Sequence, residues 1–189
     1  MVEASKVYYC NKGCCKIEMC DYHFNFSHHN RGRKERKAGV VIYDPNEERV
    51  LVVQSRGQLW GPAKGTVEDF RGETIKDCAI RELKEETGIE IIPSEFLNSV
   101  KIENTSIYFY AEMKTNNVTI IRHYNNDNSI DLEKSDISGI GWIKLECLHD
   151  LVRNGNISLT RHACLAFKKF FGRYFFNSKF VLVKKRGRA

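Results

Sequence analysis

Three glutamates within five residues are the side chains of this sequence best placed for chemistry. Glu82, Glu85 and Glu86 lie in the segment 81–89, RELKEETGI. At about 100° per helical residue, they fall within one arc of about 100°. Carboxylates crowded on one helical face repel each other, so we expect a positive group against it. Clustered oxygen ligands suit Mg²⁺ or Mn²⁺, and an ordinary solvated acidic face is the alternative.

The segment before the glutamates has the composition of a phosphate-binding loop that leads into a helix. Residues 60–68 read WGPAKGTVE. A glycine-containing loop of this kind can present backbone N–H groups to phosphates and a carbonyl to a metal. Thr74 with Asp77 fits a capping box, and Gly88 is typical of a helix end, so a helix is predicted over residues 74–87.

The remaining segments predict a mixed sheet covered by helices. Two β-rich runs flank an Asp-Pro-Asn turn and predict a hairpin. The predicted strands are residues 38–43, 50–54, 107–113 and 140–143, and the further predicted helices are residues 146–152 and 160–176. Strands mixed with few helices indicate an α/β fold with helices on the faces of a mixed sheet.

The composition indicates one domain with appendages. The 189 residues are 42% hydrophobic, which supplies a core and excludes a wholly disordered chain. No apolar run approaches the roughly 18 residues of a membrane span, and the first residues lack the apolar stretch of a signal peptide. We therefore expect a cytoplasmic protein without a membrane partner. Thirty Lys and Arg against 24 Asp and Glu give a net charge of +6, which is compatible with binding to phosphates or nucleic acid.

Three regions differ in composition. Residues 1–37 form a Cys/His-rich arm with four of the seven cysteines, residues 38–176 form the main domain with its C-terminal helix, and residues 177–189 form a basic tail. The tail is interpreted as a solvated end or as a targeting or nucleic-acid patch.

The N-terminal arm contains enough ligands for one structural Zn²⁺ ion. An odd number of cysteines excludes complete internal pairing and favours reduced thiols or a metal site. The candidate ligands are Cys10, Cys14, Cys15, Cys20, His23, His28 and His29. Cys20 and His23 have a reasonable ligand spacing, and reduced structural thiols are the alternative. Residues 7–16 predict a hairpin with an Asn-Lys-Gly turn.

The acidic helix and the segment before it resemble the Nudix box, G-x5-E-x7-R-E-U-x-E-E-x-G-U, in which U is apolar. The match is complete from Glu73 through residue 89. Gly65 and Glu73 are separated by seven residues instead of five, which indicates a two-residue insertion near residues 70–71. The resemblance implies a Nudix-type α/β/α sandwich with a mixed sheet over residues 38–176. It also implies hydrolysis of a phosphoanhydride substrate with Mg²⁺ or Mn²⁺.

Carried over residue by residue, the Nudix resemblance implies roles for five side chains. Arg81 would orient a carboxylate, that of Glu73. A backbone carbonyl near residues 64–65 would assist the metal ligands. The implied metal ligands are Glu82, Glu85 and Glu86, of which Glu85 and Glu86 are also assigned as catalytic.

Two stretches resemble the mRNA-decapping branch of the family. Residues 59–67, LWGPAKGTV, resemble W-G-F-P-K-G-K-V/I, and residues 77–82, DCAIRE, resemble D-C-A-x-R-E. The likeness implies that Lys64 contacts phosphate in a catalytic role and that Gly65 and Trp60 bind substrate. A solvated loop lysine is the alternative for Lys64. The aromatic candidates for stacking on a methylated guanine are Trp60, Phe70 and Tyr110, each of which is alternatively a packing residue.

Residues 135–142 resemble N-E-I-x-x-I-x-W of the same branch, which nominates Asp136 as a metal ligand or general base. Asp131 and Glu133 are nearby substitutes. The predicted C-terminal helix carries basic residues that could follow an RNA backbone, namely Arg161, His162, Lys168, Lys169 and Arg173. The alternative is a core helix with a solvated cationic side.

The resulting expectation is hydrolysis of the 5′ cap of RNA to methylated GDP and 5′-monophosphate RNA. One alternative is a Nudix enzyme that acts on dinucleoside polyphosphates, inositol pyrophosphates or damaged nucleotides. A second is an inactive Nudix-fold binding module, which the intact glutamates disfavour.

Overall fold

The computed structural model describes residues 6–19, 35–55, 59–119, 121 and 137–172. Predictions for Asp136 and its two substitutes and for the basic tail lie outside these residues. The strands are β1 (Lys6–Tyr9), β2 (Lys16–Met19), β3 (Lys37–Asp44), β4 (Arg49–Ser55), β5 (Leu59–Gly61), β6 (Ala63–Thr66), β7 (Asn98–Ile102), β8 (Ser106–Glu112), β9 (Ile137–Lys144) and β10 (Ser158–Leu159). The helices are α1 (Ile75–Thr87), α2 (Leu145–Arg153) and α3 (Arg161–Phe170), with 3₁₀ turns at Asp69–Arg71 and Pro93–Glu95.

The strands form one mixed sheet in the order β1-β2-β9-β4-β3-β8-β7. Strand β6 adds to β3, and β5 joins β4 to β10. The pairs β3–β8 and β5–β10 are parallel, whereas β1–β2, β2–β9, β3–β4, β3–β6, β4–β5, β4–β9 and β7–β8 are antiparallel. The predicted mixed sheet is confirmed.

The predicted hairpin of β3 and β4 is confirmed only at its closed end. The two strands pair at Tyr43–Val50 and Asp44–Arg49. Away from the turn they separate, and β3 pairs with β6 while β4 pairs with β5. The segment 59–66 therefore lies where the two strands have parted.

Two apolar cores lie on opposite faces of the sheet, because alternate residues of a strand point to opposite sides. Val41 and Val52 belong to the core that α2 and α3 cover. Ile42 and Val53, their neighbours in sequence, belong to the core that α1 covers. The fold is thus the predicted α/β/α sandwich.

The first helix has the predicted ends. The Thr74 hydroxyl accepts the backbone N–H of Asp77 at 3.2 Å, and Gly88 ends α1 with φ of 73°. The third helix ends at Phe170, and the last part of its predicted range, residues 173–176, lies outside the described residues. Its backbone leaves the helical conformation at Phe171, whose buried ring packs against Tyr43 with centroids 4.9 Å apart.

The segment predicted as a loop, residues 60–68, instead contains β5 and β6. Its Trp60 is only 1% exposed and lies in the core with α3. The prediction that Trp60 binds substrate is therefore wrong, because a fully buried indole offers no surface for a base to stack on. Strands β7 and β10 were also not predicted. Within the described residues, no helix combines the length and apolar character that a bilayer crossing requires.

Replacing Gly139 by alanine should destabilise the fold by about 1–3 kcal/mol, the usual cost of overpacking a filled core. A Cβ at this position of β9 would come within 2.7 Å of the Trp60 ring carbon Cη2. Urea unfolding measures the change. The control Lys101→Ala, which alters an exposed side chain of β7, should stay within about 0.5 kcal/mol of the parent. Equal unfolding midpoints for both variants would contradict this packing.

Candidate active site

The guanidinium of Arg81 is the centre of a charged cluster between α1 and β6. Its Nε and Nη2 atoms donate to the two carboxylate oxygens of Glu73 at 2.7 and 3.2 Å. Its Nη1 donates to Glu82 at 2.8 Å and to Glu85 at 2.9 Å, and Nη2 also donates to the Thr66 carbonyl at 3.2 Å. The expected contact with Glu73 is present, and it holds the pKa of Glu73 below its usual range.

The three glutamates that the sequence nominated as metal ligands differ in exposure. Glu86 is 6% exposed, and its Oε2 accepts the backbone N–H of Lys64 at 3.0 Å. The Glu82 side chain is 12% exposed and that of Glu85 is 56% exposed. The positive group expected beside these carboxylates is partly supplied by Arg81.

Gly65 leaves the space that the Glu82 carboxylate occupies. A Cβ at this position of β6 would overlap the carboxylate carbon and both oxygens of Glu82. The Gly65 carbonyl oxygen faces α1, with the Cys78 sulfur 3.9 Å away. The glycine of the motif therefore has a steric role: it lets the Glu82 carboxylate of α1 approach the strand.

Lys64 lies beside these carboxylates. Its backbone N–H binds Glu86, and its side chain is partly buried. Burial lowers the pKa of the Lys64 ammonium, and the negative charges of Glu86 and Glu82 oppose this shift. The predicted phosphate-binding lysine thus stands next to the predicted metal ligands.

Tyr108 is a candidate site residue that the sequence analysis missed. Its hydroxyl is buried and has no hydrogen-bond partner within the described part of the chain. Burial, together with the charge of Glu86, raises the pKa of this hydroxyl. Buried polar atoms are normally paired, so this unpaired hydroxyl, which belongs to the core that α2 and α3 cover, is a candidate contact for a polar ligand. A single tyrosine in a strand carries no motif that could have identified it.

The segment in which the sequence predicts a two-residue insertion contains the 3₁₀ turn Asp69–Arg71, between β6 and α1. The Phe70 ring in this turn is 81% exposed, and the Arg71 guanidinium carbon lies 5.2 Å from its centroid. After the turn, Glu73 still accepts the Glu68 backbone N–H at 2.8 Å. Glu73 is thus bonded both to the segment before the turn and to Arg81 of α1.

The basic helix is partly neutralised by an acidic turn between β7 and β8. Arg161 forms an ion pair with Glu103 at 2.8 Å, and His162 lies 3.3 Å from the same carboxylate. Lys168 and Lys169 are exposed. Arg173 lies outside the described residues. Tyr110, an aromatic candidate, stacks on Phe170 with centroids 5.3 Å apart.

The predicted zinc ligands are only partly described. Cys20 and the three histidines lie outside the described residues, while Cys10, Cys14 and Cys15 meet a cysteine of α2 that was not predicted, Cys147. Burial raises the pKa of the Cys10 thiol, but hydrogen bonds from the backbone of Cys15, the side chain of Cys14 and nearby amides lower it to about 6. Cys147 is far away in sequence and carries no spacing signal.

Comparison with known proteins decides the family. A family model described as the NUDIX domain matches residues 33–163, more than half of the chain. The chain belongs to the Nudix hydrolase family. It is accordingly a Nudix pyrophosphate hydrolase, and the predicted family and fold are confirmed.

Relatives of this Nudix hydrolase come from viruses, plants and bacteria. It is 32% identical over 152 residues to the protein named "Putative hydrolase 111R" of Invertebrate iridescent virus 3, which covers 76% of this chain and 80% of the relative. It is 31% identical to Nudix hydrolase 10 of Arabidopsis thaliana, covering 58% of this chain and only 37% of that protein. A 58-residue stretch, 30% of this chain and 37% of the relative, is 40% identical to dihydroneopterin triphosphate diphosphatase of Escherichia coli.

Solved structures show the same fold at low sequence identity. The NUDIX domain of Shewanella oneidensis NrtR, crystallised with ADP ribose, has a TM-score of 0.52 and 18% identity, covering 79% of this chain and 94% of that one. The E. coli dihydroneopterin triphosphate pyrophosphohydrolase has a TM-score of 0.51 and 18% identity, covering 75% of this chain and 97% of that one.

Nudix hydrolases generally use divalent metals, and the site has the chemistry to hold one. The single guanidinium of Arg81 is shared among the carboxylates of Glu73, Glu82 and Glu85, which leaves excess negative charge. Mg²⁺ and Mn²⁺ prefer oxygen donors, and the side-chain donors gathered here are carboxylate oxygens. By donor type, these carboxylates suit a hard divalent cation.

Replacing Gly65 by alanine should weaken Mn²⁺ binding at least tenfold, because the new Cβ must displace the Glu82 carboxylate and small displacements in a site cost about 10²-fold in function. Electron paramagnetic resonance of free Mn²⁺ measures the binding. The control Ser99→Ala, exposed on β7, should bind like the parent. Equal Mn²⁺ affinities for both variants, with both folded by circular dichroism, would contradict the ligand role of Glu82.

Proposed function

We propose that this Nudix enzyme hydrolyses the pyrophosphate linkage of the 5′ cap of RNA, releasing methylated GDP and 5′-monophosphate RNA. The observation that carries the hydrolytic part is the gathering of Glu82, Glu85 and Glu86 around Arg81 and β6. Phosphoanhydride oxygens are negative, so a nucleophile approaches them only when their charge is offset.

Each residue of the cluster has a distinct task in the proposed reaction. The three glutamates would hold Mg²⁺ or Mn²⁺, which supplies charge neutralisation and lowers the pKa of a bound water. Arg81 keeps α1 against β6 and fixes the Glu82 carboxylate. The Lys64 backbone N–H orients Glu86, the proposed catalytic carboxylate, while the Lys64 ammonium would contact a phosphate oxygen. The Tyr108 hydroxyl would donate to the bound polar ligand.

Support for capped RNA comes from where the decapping-like stretches lie in the fold. Residues 59–67 contain β5 and β6, and residues 77–82 lie in α1. These elements supply Lys64, Gly65 and the carboxylates, so the likeness falls on the residues that build the site. Asp136 stays a proposed metal ligand or general base, since it lies outside the described residues.

The exposed ring of Phe70 is the best remaining candidate for stacking on a methylated guanine. Trp60 is buried and Tyr110 is stacked on Phe170. Phe70 projects from the turn that connects β6 to α1. Methylated guanine is cationic, and cations bind to the faces of aromatic rings. The exposed Lys168 and Lys169 of α3 would add charge for the RNA backbone.

A second candidate is hydrolysis of a nucleotide-like triphosphate. It is favoured by the 40% identity over 58 residues with dihydroneopterin triphosphate diphosphatase. A panel of cap-labelled RNA, free cap dinucleotide, dihydroneopterin triphosphate, diadenosine polyphosphates and inositol pyrophosphates separates the candidates. Capped RNA should be cleaved with the highest kcat/KM; preference for dihydroneopterin triphosphate would select the second candidate instead.

Substituting Glu86 by glutamine should reduce kcat by at least about 10²-fold while preserving the fold, because the amide cannot serve as an anionic ligand or proton acceptor. The measurement is initial rates on the best substrate of the panel with saturating Mn²⁺. The control Glu90→Gln, just beyond α1 and paired with Lys84 at the surface, should retain the parental rate. Near-normal turnover by Glu86→Gln would mean that the roles are assigned wrongly.

Replacing Phe70 by alanine should raise KM for capped RNA by about 5–100-fold, corresponding to the roughly 1–3 kcal/mol of one base–aromatic stack. Hydrolysis of an unmethylated triphosphate substrate should change little. The control Ile92→Ala removes another exposed apolar side chain outside the turn and should leave both substrates unaffected. An unchanged KM for capped RNA in the Phe70 variant would exclude Phe70 as the stacking residue.

A further inference from the structure

Four cysteine sulfurs meet on the face of the sheet opposite α1. We call them the thiol cluster; they belong to Cys10, Cys14, Cys15 and Cys147, and all lie within 4.8 Å of one another. The first three come from the turn between β1 and β2, and the fourth comes from the first turn of α2. The cluster therefore joins two elements more than 130 residues apart in sequence.

The distances within the thiol cluster match a shared metal ion. Cys14 Sγ lies 3.5 Å from the sulfurs of Cys10 and Cys147 and 3.7 Å from that of Cys15. Four sulfurs placed tetrahedrally at about 2.3 Å from Zn²⁺ are separated by about 3.8 Å. A disulfide requires about 2.05 Å, and these cysteines are free.

Backbone N–H groups already point at the sulfurs. The Lys144 N–H donates to Cys15 Sγ at 3.3 Å, and the backbone of Cys15, Lys12 and Cys14 hydrogen bonds to Cys10 Sγ. N–H donors stabilise a sulfur that carries negative charge. Such donors are the outer contacts that a thiolate metal site needs.

Positive potential reaches the cluster from a helix N-terminus and from one lysine, although burial raises the pKa of the Cys15 and Cys147 thiols. Cys147 lies in the first turn of α2, where the unpaired N–H groups of a helix favour a thiolate. Lys12 lies in the hairpin turn, where its ammonium pairs with Glu146 at 3.2 Å. The Glu146 carboxylate raises the pKa of Lys12, and the nearby Cys147 contributes to the same shift. Four thiolates with a dication carry a net charge of −2, which this potential offsets in part.

We propose that the thiol cluster binds one structural Zn²⁺ ion. Zn²⁺ is the divalent ion that tetrahedral sets of four thiolates select, and a site with four protein ligands has no open position for catalysis. This ligand set differs from the one expected from sequence. The fourth ligand is Cys147, whereas the sequence offered Cys20 and the histidines for that position. The proposal does not depend on the hydrolytic function.

The ion would fasten the N-terminal hairpin to the catalytic domain. Strand β2 pairs with β9, whereas β1 is exposed along its whole length. The hairpin turn has little apolar surface to bury apart from its cysteines, so a metal cross-link to α2 holds it where packing alone would be weak.

The first test is the metal content of the full chain, purified without chelator after expression with added zinc. Plasma emission spectroscopy should find about one zinc per chain, and Co²⁺ substitution should give the visible bands of a tetrahedral ion with thiolate charge-transfer absorption. Less than about 0.3 zinc per chain, or cysteines joined as disulfides by intact mass, would overturn the proposal.

The ligand set is tested by Cys147→Ser, with Cys164→Ser of α3 as the matched control, since Cys164 is outside the cluster. Zinc should fall to under about 0.2 per chain in the first variant and stay near one in the control. Full zinc retention in folded Cys147→Ser would overturn the assignment of Cys147. If that variant does not fold, Cys14→Ser and the Co²⁺ spectrum of the parent give the same decision.

A stability measurement separates this ion from the catalytic one. A zinc-selective chelator should lower the unfolding temperature of the parent by several degrees, and excess Mg²⁺ should not restore it. The Glu86→Gln variant should keep its zinc. Restoration by Mg²⁺, or loss of zinc in Glu86→Gln, would contradict a separate structural site.

Discussion

The hydrogen bonds of one guanidinium position the carboxylates on which the proposed chemistry of this enzyme depends. Arg81 connects two carboxylates of α1 with Glu73 and with the Thr66 carbonyl of β6. Removing a buried partner of such a network is costly, because the remaining charges stay buried and unpaired. The same contacts leave the glutamates with more negative charge than Arg81 can offset. The network therefore orders the carboxylates and keeps them receptive to a dication, two requirements that a fully neutralised cluster could not meet.

The sheet topology explains why the site lies where it does. Because β3 and β4 pair only beside their turn, the segment 59–66 can enter between them and follow both. Trp60 fills the core with α3, and five residues later Gly65 meets Glu82 of α1. A single short segment thus contacts both layers of the sandwich. Packing around the indole fixes the position of the neighbouring residues of the candidate site.

The sequence predicted correctly those structural features that depend on residues close together in the chain. The α1 helix, its caps and its acidic arc follow from residues within one helical turn of each other, and all were predicted. Strands β5 and β6 were not, because glycine and proline normally indicate loops, and their pairing with β3 and β4 is a tertiary effect. Trp60 was predicted to bind substrate because neighbouring residues of the same motif are predicted to do so. The burial of its indole depends on residues that are distant in sequence, which the motif does not reveal. Tyr108 and Cys147 were missed for the same reason: each acquires its setting only when remote strands and helices pack.

The turn at Asp69–Arg71 has no buried residues, whereas the strands before it and the helix after it are anchored in the cores. Changes in this turn consequently cost the fold little. Substitutions can accumulate there with small losses of stability, so the turn tolerates divergence in sequence while the acidic helix that follows it keeps its position.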